Sequence, residues 1–295
     1  MKRRALTIVE LLIVIAIMAA LIALLVPAVQ KQRRAAATSE TMEKLKQMTL
    51  ATHSCNDLHK KLPPAYGPFE KVTATVHVHL LPFVHQDDLH KKWINALGPI
   101  KGNVIPAFLA PMDFTQTKDG ADGQNFVANL RVFADAGSNL EADGLTKSIT
   151  WPPPAKVRDL GWPNAYWGTA RIPVTFIDGT SCTILFTTGY MNCPNEISQR
   201  LYFNSPELTA NSFFGVMKMT APASSDGTGA AGTIFQTQPS QRDCDPAIPQ
   251  SIIESRTWVG MADGSVRVIN PDINVLSWAR LVQPNDGQVM PKTWW

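Results

Sequence analysis

The sequence predicts an α+β fold: one long N-terminal helix packed on a mainly antiparallel β-sheet domain with long loops. Three observations carry this expectation. Residues 6–57 hold no glycine and one proline, Pro27, and pass from wholly apolar to helically patterned polar sequence. All 18 glycines, and all 22 prolines but Pro27, lie from Pro63 onward. That later region alternates apolar and polar residues in short runs bounded by turn-formers, which is the pattern of strands. A helix followed by a run of strands places the sheet against the polar half of the helix.

At 295 residues the chain has room for one large domain or two small ones. An apolar fraction of 45% with 17% charged residues supports a sizeable core and excludes a disordered chain. The net charge is +3, and without Lys2, Arg3 and Arg4 the 27 basic residues fall to 24, equal to the 24 acidic ones. No basic block with interleaved aromatics occurs, so no nucleic-acid partner is expected.

The first element is a membrane span over residues 6–29. The 19 residues from Leu11 to Val29 carry no charge. As helix they measure about 28 Å, the thickness of a bilayer's hydrocarbon core. Lys2, Arg3 and Arg4 precede the run, which keeps the N-terminus cytoplasmic and sends the rest of the chain across the inner membrane. A signal peptide would end its apolar region in a small-residue cleavage site. Here the small residue, Ala5, comes first, and the run continues into polar helix. A plain uncleaved anchor is the simpler alternative. Glu10 breaks the pattern: a carboxylate within a span costs up to roughly 2.5–3.5 kcal/mol and is by default a functional residue with a partner.

This order of basic leader, Ala5, Leu6 and then Glu10 resembles the N-terminus of type IV pilins and pseudopilins. The resemblance implies a leader of residues 1–5, cut after Ala5 by a prepilin peptidase that methylates the new terminus at Leu6. It also implies that Glu10 neutralises the N-terminal ammonium of a neighbouring subunit as the helices pack, since two opposite charges buried together are tolerated where one alone is not. The family usually has Gly at Ala5 and Phe at Leu6. Like subunits or other pilins would then be the partners. The product would be a single-pass inner-membrane protein whose C-terminal part lies in the periplasm or on a cell-surface filament.

Beyond the span, residues 30–57 continue as helix, with a bend expected at Pro27. Glu40 with Lys44 and Glu43 with Lys46 are spaced as helix-surface pairs. Leu45, Met48, Thr49 and Thr52, with Met42 just before them, form one stripe for packing on a globular domain. Pro63 and Pro64 break the helix, and residues 58–295 form that domain. Val72–Leu80 alternates cleanly and predicts a strand. Ile172–Ile177, Cys182–Thr187, Phe213–Met219, Thr233–Gln238, Thr257–Met261 and Ser265–Ile269 predict others. Asp263-Gly264 predicts the turn of a hairpin, and Asn274–Val282 a short helix. Residues 112–171 read as irregular connections.

Several segments also resemble a pilin-like family known as a domain of unknown function and numbered 1559. They are Leu45-Lys-Gln, His77-Val-His-Leu-Leu-Pro-Phe, Phe108-Leu-Ala-Pro-Met-Asp, Ile177-Asp-Gly-Thr-Ser-Cys-Thr-Ile-Leu-Phe, Met261-Ala-Asp-Gly-Ser-Val-Arg-Val, Trp278 and Pro284-Asn-Asp-Gly-Gln-Val. The family usually has Cys at Ala110 and near Thr41, which implies a disulfide in relatives that this chain lacks. The family implies an exported, membrane-anchored pilin-like subunit and no known reaction.

Four cysteines, Cys55, Cys182, Cys193 and Cys244, fall in the part expected to face an oxidising periplasm. Three pairings are open, with Cys193–Cys244 favoured because both lie in Pro/Asn/Asp-rich loops. His77 and His79 share a strand face with His85 and His90 shortly after, which is a metal-ligand pattern. No carboxylate pattern completes it, so a polar sheet face is expected. The loop from Lys118 to Asn125 is rich in oxygen ligands, but it lacks EF-hand spacing. The chain has 7 Asp-Gly pairs, so turn chemistry accounts for such dipeptides. No catalytic motif, cofactor or metal is expected, and the chain does not read as an enzyme. A monomeric membrane-tethered binding module and a periplasmic metal-dependent enzyme are the alternative classes.

Overall fold

The computed structural model describes residues 8–96, 100–116, 122–134, 168–193, 200–201, 213–214, 234–245, 248–285, 287 and 290. Helix α1 (Ile8–His59) runs unbroken through Pro27 for 52 residues, about 78 Å. Its two halves differ in what surrounds them. From Ile8 to Val29 the large apolar side chains are exposed, Leu24 at 74% and Ile13 at 54% among them. Beyond Arg34 a stripe of Ala37, Thr41, Leu45, Met48, Thr49, Ala51, Thr52, Cys55 and Asn56 is buried. The stripe follows the expected one, extended by a turn at each end.

Strands β1 (Tyr66–Phe69) and β2 (Val72–Thr75) form a hairpin. Short helix α2 (Val76–Leu80), a 3-10 turn (Leu81–Val84) and α3 (Asp87–Ala96) follow. Strand β3 (Phe126–Asn129) runs into the single turn α4 (Leu130–Phe133). Next come β4 (Ile184–Thr188), β5 (Phe213–Phe214), β6 (Gln236–Thr237), β7 (Gln250–Ser251), β8 (Thr257–Met261), β9 (Val266–Ile269) and α5 (Val275–Val282).

The main sheet has the order β5-β3-β4-β8-β9. Every pair in it is antiparallel except β3 with β5. Alternation along β3 divides the core. Phe126 and Ala128 join the cluster that contains Leu45, Met48 and Cys55 of α1. Val127 faces the other way and packs with Val259, Ile269, Trp278 and Leu281 under α5. The sheet thus lies between the upper half of α1 and α5, an α+β architecture in three layers.

Three expectations are corrected. The strand Val72–Leu80 ends at Thr75, whose side chain caps α2 by accepting from the Val78 N–H at 3.5 Å. All five residues of α2 are buried, so the alternation of Val with His marked no solvent face. Ile172–Ile177 is a series of turns, because Asn56 of α1 takes both backbone groups of Ile172, at 3.0 and 3.2 Å, that a ladder would need. Within the stretch read as irregular, β3 is a central strand. It is buried at every position and carries no alternation to read. Of Phe213–Met219 only β5 lies among the described residues, and all of 135–167 lies outside them.

Gly260 sets how closely α1 approaches the sheet. A Cβ there would sit 2.5 Å from Thr49 Cγ2. Gly260→Ala is expected to destabilise the domain by about 2 kcal/mol, read as a lower denaturation midpoint of the full chain in detergent. Adding Thr49→Ser, which removes the opposing methyl, is expected to recover part of the loss.

Candidate functional site

The first candidate surface is the lower half of α1. A helix that is apolar all round is stable only in lipid or among other helices, and this one is long and apolar enough to cross a membrane. Glu10 lies in its first described turn, exposed. Ala5 and Leu6 lie outside the described residues. The upper half is fastened to the domain by its own lysines. Lys46 Nζ donates to Gly264 O at 2.6 Å, and Lys44 Nζ to Leu109 O at 2.9 Å, alongside its pair with Glu40.

A second concentration of polar groups was not anticipated from sequence. Asp113 is buried, and its carboxylate accepts four hydrogen bonds. They come from Asn125 Nδ2 (2.6 Å), the Met191 N–H (2.8 Å), the Thr115 N–H (2.9 Å) and Thr115 Oγ1 (2.7 Å). Asn125 Oδ1 accepts from the Ala110 N–H and from Gln116 Nε2, while its Nδ2 also donates to Gly189 O. Beside this cluster Arg200, 1% exposed, donates to Tyr190 O at 2.6 Å and Gln250 Oε1 at 2.7 Å. Burial lowers the Arg200 pKa to about 10, while Asp113 and Asp245 act against that shift. Burial, with Asp113 adding to it, pushes the Tyr190 phenol up to about 12. Cys193 and Cys244 are joined by a disulfide with their Cα atoms 5.3 Å apart, next to Asn192 and Asp245 at the rim of the cluster. These groups bind three chain segments distant in sequence into one body. The chain's own donors surround Asp113, so the cluster acts as a scaffold.

The histidines read as a possible ligand pair are placed differently. On α2, two residues apart means about 200° of rotation, so His77 and His79 point to opposite sides. His77 Nε2 bonds Phe126 O at 2.8 Å, and its ring lies edge-on to Phe108. His79 Nε2 bonds Gly67 O at 3.1 Å. Burial holds both imidazoles neutral, with pKa values lowered to about 4. Among the described residues no three His, Cys, Asp or Glu side chains converge as metal ligands. In the oxygen-rich loop, Asp122 spends its carboxylate on the Gly102 and Asn103 N–H groups, at 2.6 and 3.0 Å. Residues 117–121 lie outside the described residues. Cys55 and Cys182 are free thiols, and burial raises the Cys55 pKa to about 12. Thr41 and Ala110, where the resembling family has cysteines, are both fully buried.

The structure thus defines a class: an α+β domain carried on one long helix whose first half is bare and apolar. The chain belongs to the family described as "Protein of unknown function (DUF1559)", whose model matches residues 30–276. The match begins one residue after the apolar run and covers the polar half of α1 and the domain. No curated protein and no solved structure matches the chain.

Proposed function

We propose that the chain is a type IV pilin-like or pseudopilin subunit with a structural role. In this reading it enters the inner membrane through α1, is trimmed after Ala5 and methylated at Leu6 by a prepilin peptidase, and assembles through α1 with like subunits or other pilins. The domain would stand in the periplasm or on the surface of a filament. The observation that carries the reading is the single unbroken helix: 22 exposed residues from Ile8 to Val29, continuous with a stripe clamped to the sheet. A cleavable signal needs no such clamp, and a tether needs no continuous helix into its cargo.

Glu10 fits this role by position, at the start of the apolar run, where a carboxylate is stable only beside a cation. The mature N-terminus decides the matter. Peptide mass spectrometry of protein purified from membranes is expected to show a chain beginning at Leu6 with one added methyl. A chain beginning at Met1, or anywhere beyond Val29, would overturn the reading.

A further inference from the structure

The charges along α1 specify how two copies meet. Between Glu10 and Glu40 the helix carries no acid, and its only charges are Lys31, Arg33 and Arg34, all exposed. None of the three forms an ion pair within the chain among the described residues. About two turns beyond Arg34, Glu40 and Glu43 are also exposed, Glu40 pairing with Lys44 and Glu43 accepting from Gln47. Glu43 lines an open cleft of about 300 Å³ between α1 and the edge strand β9, together with Ser39, Met42, Lys46 and Val266.

Copies packed side by side at equal depth would bring like to like. Three cations would face the same three cations across the roughly 8–10 Å that separates packed helices. That distance is about one Debye length at physiological salt, so the repulsion is weakened by screening and grows as salt is lowered. A shift of nine residues instead brings opposite charges level at two positions. Lys31 comes level with Glu40 and Arg34 with Glu43, because both pairs are nine positions apart. Nine residues make about 14 Å of rise and two and a half turns, so Lys31 and Arg34 point the opposite way from Glu40 and Glu43, while Arg33 and Lys44 lie on the side of Glu40. Opposed complementary faces on identically oriented copies define a heterologous contact, which repeats without closing and builds an open helical array.

We propose that Lys31 and Arg34 of one copy dock on Glu40 and Glu43 of the next, displaced by about 14 Å along the helix. The Arg34 stem would lie in the cleft against Met42 and Val266 with its guanidinium on Glu43. The proposal rests on α1 being the assembly helix and adds the faces and the register. Flush copies in the membrane repel, whereas each copy raised by the step attracts the next.

Oxidative crosslinking in membranes tests this in the full chain with Cys182→Ser, so that no half-exposed thiol competes. Copies carrying Arg34→Cys are co-expressed with differently tagged copies carrying Glu43→Cys. A mixed-tag dimer is the expected product, in excess of either same-tag dimer. Preferential Arg34→Cys self-dimers would overturn the register while leaving helix-mediated assembly standing. An absence of dimers both here and with Leu21→Cys in the apolar half would overturn the assembly reading as well. Independently, Lys31→Glu with Arg34→Glu is expected to lower the sedimentable assembly about tenfold, and adding Glu40→Lys with Glu43→Lys to restore it. Equal loss in the fourfold exchange would also overturn the pairing.

Discussion

Asp113→Ala is expected to destabilise the domain by about 4 kcal/mol, the largest effect of any single substitution considered. The carboxylate it removes accepts from four donors, two of them backbone N–H groups, at 2.6–2.9 Å. Met191, Thr115 and Asn125 would keep their donors in a site closed to water. Arg200, fully buried and drawn towards the charged state by Asp113, would lose that support. Asp113→Asn sharpens the test. All four partners are donors, so an amide turns at least one of its own donors towards another donor, and a cost of about 3 kcal/mol is expected. Denaturant titration of the full chain in detergent gives both values. An Asp113→Asn protein as stable as the parent would show that the cluster draws nothing from the negative charge.

This cluster also marks the limit of what the sequence discloses. Asp113 sits in Pro-Met-Asp-Phe, which reads as a turn, and Asn125 in a Gly-Gln-Asn stretch that reads as loop. Thr115 lies only two residues from Asp113, but Asn125 and Met191 lie 12 and 78 residues away, and nothing local records that meeting. Elements whose signal is local were legible. The apolar run of α1 follows from length and lack of charge, the β8–β9 hairpin from Asp263-Gly264, and α5 from its spacing of apolar residues. Elements defined by complete burial were not. Strand β3 has no polar face to alternate with, and α2 alternates Val and His in a segment buried all round. For the surface of α1 the reverse holds, since exposed charges appear in the sequence as they stand. The spacing of Lys31, Arg34, Glu40 and Glu43 was open to reading once the helix was known to be continuous.

The stability of the domain is expected to fall steeply between neutral pH and pH 4.5, by about 5 kcal/mol from His77 and His79 together. In the unfolded chain each imidazole takes up a proton near pH 6.5, whereas in the fold each resists it until about pH 4. Between those values the unfolded state holds more protons, so stability rises with pH across this window. The contribution is fully present above about pH 6.5 and is lost as pH falls towards 4. The cause is burial at both sites, with the positive charge of His90 adding to it at His79. Protonation of His77 would charge a ring whose Nδ1 has no acceptor, between Phe108 and Phe186.

His77→Gln with His79→Gln retains an amide that can donate to Phe126 O and Gly67 O but cannot titrate. The double variant is therefore expected to show a much shallower dependence on pH over the same range than the parent. Denaturation midpoints of full-length parent and variant at pH 7.0, 5.5 and 4.5 measure the difference. Parallel curves would place the acid sensitivity elsewhere, and imidazole resonances of the folded parent titrating near pH 6.5 would contradict the burial that keeps these two rings neutral.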